Sequence, residues 1–597
     1  MPVVEFQPLG RRVQVPEGTT VLGAVQLLGR ELGDWGVVAT CGGHGRCGRC
    51  LVRVVGGAVS GADEQELELL ARQGAVGYRL ACRVRVVGDV RVEIDRLRGG
   101  DRLQVAGVLG AREVRPRPAV RQVQFRLDPP EVGERAGDAD RVAEAVGARL
   151  RHDLELLRVL SDDLRRWDFG GWAVIRGGEV IAVRPWCAPF LGLAVDLGTT
   201  KVAAYLVDLD SGEIVESGAI LNPQIAYGED VVSRLGYASV SADNYRRIRG
   251  AVVEGLNGLA AELCRRVGCE TADICEAVVC GNTAMHHLLL GLPVGQLVRA
   301  PYVPALTGPV DVKARELGFG FAAGACVHLL PCVAGYVGGD HVGVILATRL
   351  LEHRGVALAV DVGTNTEIAL VREGRVTCCS CASGPAFEGG HVSRGMRALA
   401  GAVDRVWLEG EEIRFTVVGG GEPAGFCGAG LIDLLAVLLR AGVMDAGGRL
   451  RAGAPGVEEG PDGLEFRLGG VPLTQRDIRQ LQLAKAAVRS GIEGLLRTTG
   501  TRVEEVERVY LAGAFGVAID PESAVGVGMF PRLPRERFEP VGNAAGMGAY
   551  LALVSEDERR EAARVARSAG YLELMTLPGY QELFLSCLGF PDAFQGV

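Results

Sequence analysis

Lysine is almost missing from this chain. Only Lys201, Lys313 and Lys485 occur, so nearly all of the 64 basic residues are arginine. With 86 glycines beside them, this reads as the coding bias of a GC-rich genome rather than a basic binding surface. Aromatic residues make up 5% and form no stripe with basic ones, and the net charge is -9. Both argue against a nucleic-acid partner. No run approaches the roughly 18 uninterrupted apolar residues of a membrane span. The start, Met1–Phe6, lacks the basic and then apolar segments of a secretory signal. A reducing cytoplasm is therefore the expected setting, and most of the 16 cysteines read as reduced core residues. At 597 residues the chain is long enough for several domains.

What is present begins with cysteine. Cys41, Cys47 and Cys50 fall within ten residues and among four glycines, and Cys82 follows. The spacing C-x5-C-x2-C-x31-C offers four soft thiolates, three on one tight loop and one from afar. That is the donor set of a 2Fe–2S cluster, and the glycines let backbone N–H groups turn toward its sulfides. His44, inside the loop, reads as a residue covering the cluster rather than a fifth ligand.

Residues 1–95 read as a small β-rich domain. A hairpin pairs Val3–Phe6 with Arg12–Val15, and Thr19-Thr20 caps a helix at Val21–Leu28. Leu51–Val55 is a strand and Asp63–Leu70 a helix. Cys82–Val86 and Val90–Ile94 read as two further strands closing the sheet. This pattern resembles a ferredoxin-type β-grasp domain, and the x5 spacing is similar to its adrenodoxin-like and bacterial branch. Residues 96–118, rich in Gly, Arg and Pro, read as a mobile linker. Residues 119–188 form a small middle domain. It has a strand at Val120–Leu127, helices near 138–165 and a hairpin around Arg176-Gly177-Gly178, with no evident chemistry.

From Leu191 the chain contains an internal echo. Ala194–Thr200, followed by Lys201–Val207, recurs 165 residues later as Ala359–Asn365, followed by Thr366–Val371. Each is a buried strand, an Asp-x-Gly-Thr turn and a second strand. The fold expected over 189–597 is a duplicated α/β domain with halves of about 189–352 and 353–597. Such a turn presents backbone N–H groups and hydroxyls to phosphate, and its Asp can hold Mg²⁺ through water. Two such turns would clamp the β- and γ-phosphates from both sides. A third piece, Val509–Gly516, is a strand running into a glycine-rich turn where adenosine would lie.

These three pieces resemble the phosphate and adenosine motifs of the superfamily of acetate and sugar kinases, Hsp70 and actin (ASKHA). By that resemblance Asp196, Gly198, Thr199 and Thr200 form phosphate loop 1. Asp361, Gly363, Thr364 and Asn365 form loop 2, and Gly513, Ala514 and Gly516 meet the adenosine of ATP. Lys201 adjoins loop 1 as a phosphate contact. Asp196 and Asp361 are the candidate catalytic carboxylates, with Glu367 orienting the attacking water or the metal's surroundings. Adjacent His286 and His287 read as cleft or core residues. Cys378, Cys379 and Cys381 alternate along a strand, which disfavours a metal. Gly425–Gly430 opens a helix at Leu431–Leu439 and offers a second backbone approach to nucleotide.

A plain ferredoxin needs no ATP and a kinase needs no cluster. The pairing resembles the reductive activators of corrinoid proteins, ASKHA-type ATPases with an N-terminal ferredoxin domain. The likeness runs through the cluster loop, Asp196–Thr200, Asn222-Pro223-Gln224, Gly281-Asn282-Thr283, Gly384–Gly389, Gly428–Asp433 and Leu511–Gly516, and more weakly Leu588–Pro591. It implies one-electron, ATP-dependent reduction of an inactive Co(II) corrinoid protein to Co(I), reactivating a methyltransferase system. It also implies a corrinoid protein partner, an external low-potential electron donor and a homodimer. Thr366 stands where such sequences often carry Gly, which implies a stiffer loop 2. Beyond Cys427 only Cys587 remains, so the variant with C-terminal cysteine-rich 4Fe–4S motifs is excluded. Two other classes fit the same motifs. One is a redox-regulated small-molecule kinase with a deep substrate pocket. The other is a nucleotide-dependent, redox-sensing scaffold.

Overall fold

Every second residue of Val3–Gln7 is buried, the signature of a strand with one face on a core. In a computed structural model, which describes residues 1–28, 37, 50–72, 75, 77–94, 115–147, 151–461 and 463–591, it is β1 of a five-stranded sheet. The other strands are β2 (Arg11–Gln14), β3 (Leu51–Val59), β4 (Arg79–Leu80) and β5 (Val86–Glu93), in the order β2-β1-β5-β3-β4. β1 and β5 run parallel, and helices α1 (Val21–Leu28) and α2 (Glu64–Arg72) complete the β-grasp arrangement. One expectation fails here. Ala81–Arg83 is a turn rather than the start of a strand, and β5 runs on through Val90 as one strand. The alternation of Cys82–Val86 imitates a strand, but Arg83 and Val84 both donate backbone hydrogen bonds to Leu80 O.

The middle domain is a four-stranded sheet of β6 (Val120–Arg126), β7 (Arg151–His152), β8 (Gly170–Arg176) and β9 (Glu179–Arg184), in the order β6-β8-β9-β7. Helices α3 (Asp138–Ala145) and α4 (Leu154–Arg166) cover it, and Leu156, Leu160 and Leu164 recur every fourth residue on the buried face of α4. The expected linker 96–118 is anchored at its end. Arg117 N donates to Val554 O and Glu556 N donates to Arg117 O. Residues 95–114 lie outside the described residues.

The duplication is visible in two sheets. The first contains β10 (Leu191–Leu197), β11 (Lys201–Asp208), β12 (Ile214–Leu221), β13 (Ile274–Gly281), β14 (Val310–Lys313) and β15 (Cys326–Leu329), ordered β12-β11-β10-β13-β15-β14. Helices α5 (Val231–Val240), α6 (Ala242–Val267), α7 (Thr283–Leu290), α8 (Ala314–Leu317) and α9 (Gly339–Ala347) accompany it. The second sheet begins with β16 (Val356–Val362), β17 (Thr366–Arg372) and β18 (Arg375–Cys381). Two three-stranded sheets intervene, β19 (Ala402–Glu409), β20 (Glu412–Val417) and β21 (Gly425–Phe426), then β22 (Val457–Gly460), β23 (Gly463–Leu468) and β24 (Val471–Thr474). It closes with β25 (Val506–Ala512), β26 (Phe538–Gly542) and β27 (Gly570–Tyr571), in the order β26-β25-β16-β17-β18-β27. The run β12-β11-β10-β13-β15 thus matches β18-β17-β16-β25-β26 strand for strand, with the three parallel strands at equivalent places. The remaining helices are α10 (Gly428–Arg440), α11 (Gln475–Thr499), α12 (Gly513–Ala518), α13 (Pro521–Gly526), α14 (Ala544–Val554), α15 (Glu556–Ser568) and α16 (Tyr580–Ser586).

The described residues fall into two units, one built from residues up to Leu346 plus Ala545–Arg567, the other from Ala347–Ala544 plus residues from Ser568 on. Expected to belong to the second half, 545–567 instead packs in the first unit. A Cβ on Gly548 of α14 would lie 2.3 Å from Gly343 Cα of α9, so the two helices approach at paired glycines.

Buried charges tie the middle domain to the first sheet. Glu276 of β13 is fully buried between Arg176 Nε at 3.0 Å and Arg559 of α15 at 2.8 Å. Asp153, the N-cap of α4, meets Arg315 at 2.9 Å and Lys313 at 3.2 Å, and Arg184 pairs with Asp273. Removing one partner strands the other in a dry site. Arg176→Met is expected to destabilise the first unit by roughly 3 kcal/mol. Calorimetry would read this as a lower first melting transition, with Arg121→Met, on an exposed stretch of β6, unchanged.

Candidate functional site

The described cysteines of the cluster motif meet. Cys50 Sγ and Cys82 Sγ lie 3.2 Å apart, Cys50 buried and Cys82 half-buried. Two ligands about 2.3 Å from one tetrahedral metal would stand about 3.8 Å apart, so this pair fits a shared iron after a small adjustment. Several bonds hold the Cys82 turn. Ala81 N donates to Cys50 O (2.7 Å) and Leu22 N of α1 donates to Ala81 O (2.9 Å). Glu66 of α2, almost wholly buried, accepts from Leu80 N (2.8 Å) and Arg79 Nε (2.9 Å). Cys41, Cys47 and His44 lie outside the described residues.

Turn 1 links β10 to β11 in the first unit. β10 is buried along its length except at Asp196, which stands near its end beside the turn. A Cβ on Gly198 would come within 2.5 Å of Lys201 O, so the turn closes only with glycine there. Two buried asparagines hold it. Asn222 Nδ2 donates to Gly198 O at 2.8 Å, and Asn222 N donates to Thr200 O at 2.9 Å. Asn282 Nδ2 donates to Thr199 Oγ1 at 2.8 Å. Each amide oxygen meanwhile caps a helix, Asn222 accepting from Gln224 N and Asn282 from Met285 N, both at 3.0 Å. One side chain with a donor and an acceptor thus joins a helix start to the turn. Burial pulls the Lys201 ammonium down in pKa and Asp196 pulls it back up.

Asp340, in the first turn of α9, is a further carboxylate of this pole. Burial first, then the Asp196 charge, push it up to about 7. Gly338 brings α9 in, since a Cβ there would lie 2.3 Å from Asn282 Cα. Below the ordinary carboxylate range Asp340 is neutral in both folded and unfolded chains. Between there and pH 7 the native state keeps a proton the unfolded chain releases, so stability falls as pH rises. Asp340→Asn is therefore expected to raise the melting temperature by several degrees at pH 8 without nucleotide or Mg²⁺, and to leave it unchanged near pH 4.

Turn 2 links β16 to β17 in the second unit. Asp361 and Glu367 are direct cross-strand partners, so both side chains share one face. Glu367 accepts from Ser380 Oγ at 3.1 Å. Thr364 Oγ1 donates to Glu388 at 3.0 Å. Ser383 Oγ bonds Thr366 Oγ1 (2.9 Å) and Gly363 O (3.2 Å), and Gly363 N donates to Asn365 O at 3.2 Å. The expected glycine-rich turn after β25 is instead the start of α12. Gly513, at φ +83°, packs against loop 2, a Cβ there falling 2.8 Å from Asp361 Oδ1. Gly516 is buried, Ala514 exposed, and Phe515 stacks on Phe387 at 4.9 Å. Turn 2 and Gly513–Gly516 therefore form one cluster, while turn 1 belongs to the other unit.

His287 is buried in α7, its Nδ1 2.7 Å from Thr283 O and its Nε2 accepting from Ala305 N at 3.0 Å. Cys378, Cys379 and Cys381 are buried on β18, and among the described residues no group of three potential ligands gathers around a metal position. No described helix is long and apolar enough to cross a membrane.

Comparison with known proteins follows this division. Family models match a 2Fe-2S iron-sulfur cluster binding domain at residues 4–87 and a RACo linker region at 110–186. A RACo middle region matches at 191–353, and the C-terminal domain of RACo, the ASKHA domain, at 355–595. The solved structure of a reductive activator for corrinoid, iron-sulfur protein aligns over 99% of both chains, at 32% identity and a TM-score of 0.72. The chain belongs to the reductive activators of corrinoid proteins. Among curated relatives of this activator is the corrinoid activation enzyme RamQ of Eubacterium limosum. It is 33% identical over 427 residues, 68% of this chain and 71% of the relative. The Co(II) methylated amine-specific corrinoid protein reductase of Methanosarcina barkeri is 23% identical over 432 residues, covering 67% and 77%. In this activator turn 1 falls in the middle region, and turn 2 with Gly513–Gly516 in the ASKHA domain. Its N-terminal domain is an iron–sulfur domain of the 2Fe–2S type.

Proposed function

We propose that this chain reduces the cobalt of a corrinoid protein from Co(II) to Co(I), one electron per cycle, coupled to ATP hydrolysis. The electron comes from an external low-potential donor, and the working form is a homodimer. The observation that carries the reading is the Cys50–Cys82 thiol pair on a chain that also bears two strand–Asp–turn–strand units. Relatives named as a corrinoid activation enzyme and a corrinoid protein reductase support it.

Held by Cys41, Cys47, Cys50 and Cys82, a 2Fe–2S cluster would supply the one-electron carrier. Glu66 and α1 fix the Cys82 turn, which limits the rearrangement accompanying each transfer. Gly198, Thr199, Thr200 and Lys201 are the phosphate contacts of turn 1, and Gly363, Thr364 and Asn365 those of turn 2. Asp196 and Asp361, at strand ends, would hold Mg²⁺ through water. Gly513, Ala514 and Gly516 receive adenosine. Glu367 orients the attacking water or the metal's surroundings, its carboxylate held by Ser380. Coupling matters because each ~59 mV of uphill one-electron transfer costs a factor of ten, about 1.4 kcal/mol.

The test is ATP hydrolysis with and without a Co(II) corrinoid protein under anaerobic conditions. Hydrolysis should be faster with the Co(II) protein than with its Co(I) or methylated form. Equal rates with all three would remove the coupling.

A further inference from the structure

The one-turn helix Pro223–Tyr227 follows Asn222, whose side chain holds turn 1. Its far end meets the ferredoxin domain. Gln26 Nε2, on the outer side of α1, donates to Ala226 O at 3.0 Å. One short element therefore touches the candidate phosphate turn at one end and the cluster-bearing domain at the other.

The element is stiff between these ends. Asn222 caps its first turn, and Gln224 Nε2 donates to Ile248 O at 3.1 Å. Pro223 lies against Gly255 of α6, where a Cβ would be 2.8 Å from Pro223 Cγ, and Tyr227 packs on Tyr237 at 4.9 Å between ring centres. Through Gly198 O, Asn222 also reads the Gly198–Thr199 peptide. In a trans peptide N–H and C=O point opposite ways, so the Thr199 N–H points away from Asn222. A phosphate accepting from that N–H polarises the peptide and strengthens the bond to Asn222. The α1 contact lies close to Cys82, because Leu22, one helical turn before Gln26, donates to Ala81 O beside it.

We propose that Pro223–Tyr227 couples nucleotide at turn 1 to docking of the ferredoxin domain through Gln26. This rests on the reading of turn 1 as a nucleotide loop. The coupling is positive. Phosphate at the Thr199 N–H strengthens the Gly198 O–Asn222 bond and so fixes the Ala226 carbonyl that Gln26 meets. By linkage, loss of the dock weakens nucleotide binding by the factor with which nucleotide favours the dock. The Gln26–Ala226 bond is neutral and half-buried, weak enough to open in each cycle.

The experiment compares full-length wild type with Gln26→Glu, which keeps the size of the side chain and removes its donor. Calorimetric titration with a non-hydrolysable ATP analogue is followed by amide exchange over Val21–Leu28. The cluster's visible spectrum checks that the ferredoxin domain is intact, and Gln26→Asn serves as a second variant should Gln26→Glu lose it. The proposal expects nucleotide to slow exchange of Val21–Leu28 in wild type but not in the variant, and the variant to bind nucleotide roughly three- to tenfold more weakly. Equal affinities with exchange indifferent to nucleotide overturn the coupling and leave the nucleotide site standing. No binding to either protein overturns both.

Discussion

Cys82→Ser is expected to lower the rate of electron delivery to a corrinoid protein at least about 100-fold while leaving nucleotide affinity unchanged. Cys82 is the ligand supplied from outside the loop, in a turn that Glu66, Ala81 and α1 hold in place next to Cys50. Serine keeps the size of the side chain but replaces a soft thiolate with a poorly acidic hydroxyl, so a site built for iron–sulfide chemistry loses one of four donors. Anaerobic stopped-flow spectroscopy reads the first quantity and calorimetric titration the second. Loss of nucleotide affinity along with electron delivery would mean that the two modules are not separable. Retention of full delivery would remove Cys82 from the ligand set.

Gly198→Ala is expected to cut nucleotide affinity at least about tenfold and leave the cluster's spectrum untouched. The added Cβ would fall 2.5 Å from the Lys201 carbonyl oxygen. That obstacle is backbone, so no rotamer change relieves it and the turn itself must open. Opening shifts Gly198 O from Asn222 and Thr199 from Asn282, dismantling the arrangement that aims the turn. Gly236→Ala is the control. Gly236 lies in α5 with nothing within 4 Å of a Cβ, and alanine there should be neutral or slightly stabilising. If Gly198→Ala binds nucleotide as tightly as Gly236→Ala, turn 1 is not a phosphate loop.

Much of this was legible in the residues because the signals were local. The Asp-x-Gly-Thr turns stand between apolar runs, and the structure places each between two paired strands, in sheets whose order repeats. What stayed hidden depends on partners far along the chain. Asn222 and Asn282 entered the sequence reading only as parts of the family likeness, yet each caps a helix and reaches back to turn 1, 24 and 83 residues away. Their helix-starting position was a usable signal; the bond to the turn was not. Asp340 had only its place in the first turn of an apolar helix. The return of 545–567 to the first unit was invisible because α14 is apolar on all sides and so shows no preferred face. Glu276 sits in an apolar strand where pairing with Arg176 and Arg559 depends on three separate segments. Thr366 carries a hydroxyl whose partner, Ser383, lies beyond the next strand.

On the proposed reading, this one chain joins a 2Fe–2S electron carrier to a nucleotide cycle that serves cobalt. The most direct measurement is the visible spectrum of a Co(II) corrinoid protein mixed anaerobically with the activator and a low-potential reductant, before and after ATP. The Co(I) band is expected to grow only when activator, reductant and ATP are all present, and Cys82→Ser and Gly198→Ala are each expected to suppress it. Growth of the band at the same rate without ATP, or its absence with several corrinoid proteins despite bound nucleotide and a reduced cluster, would contradict it.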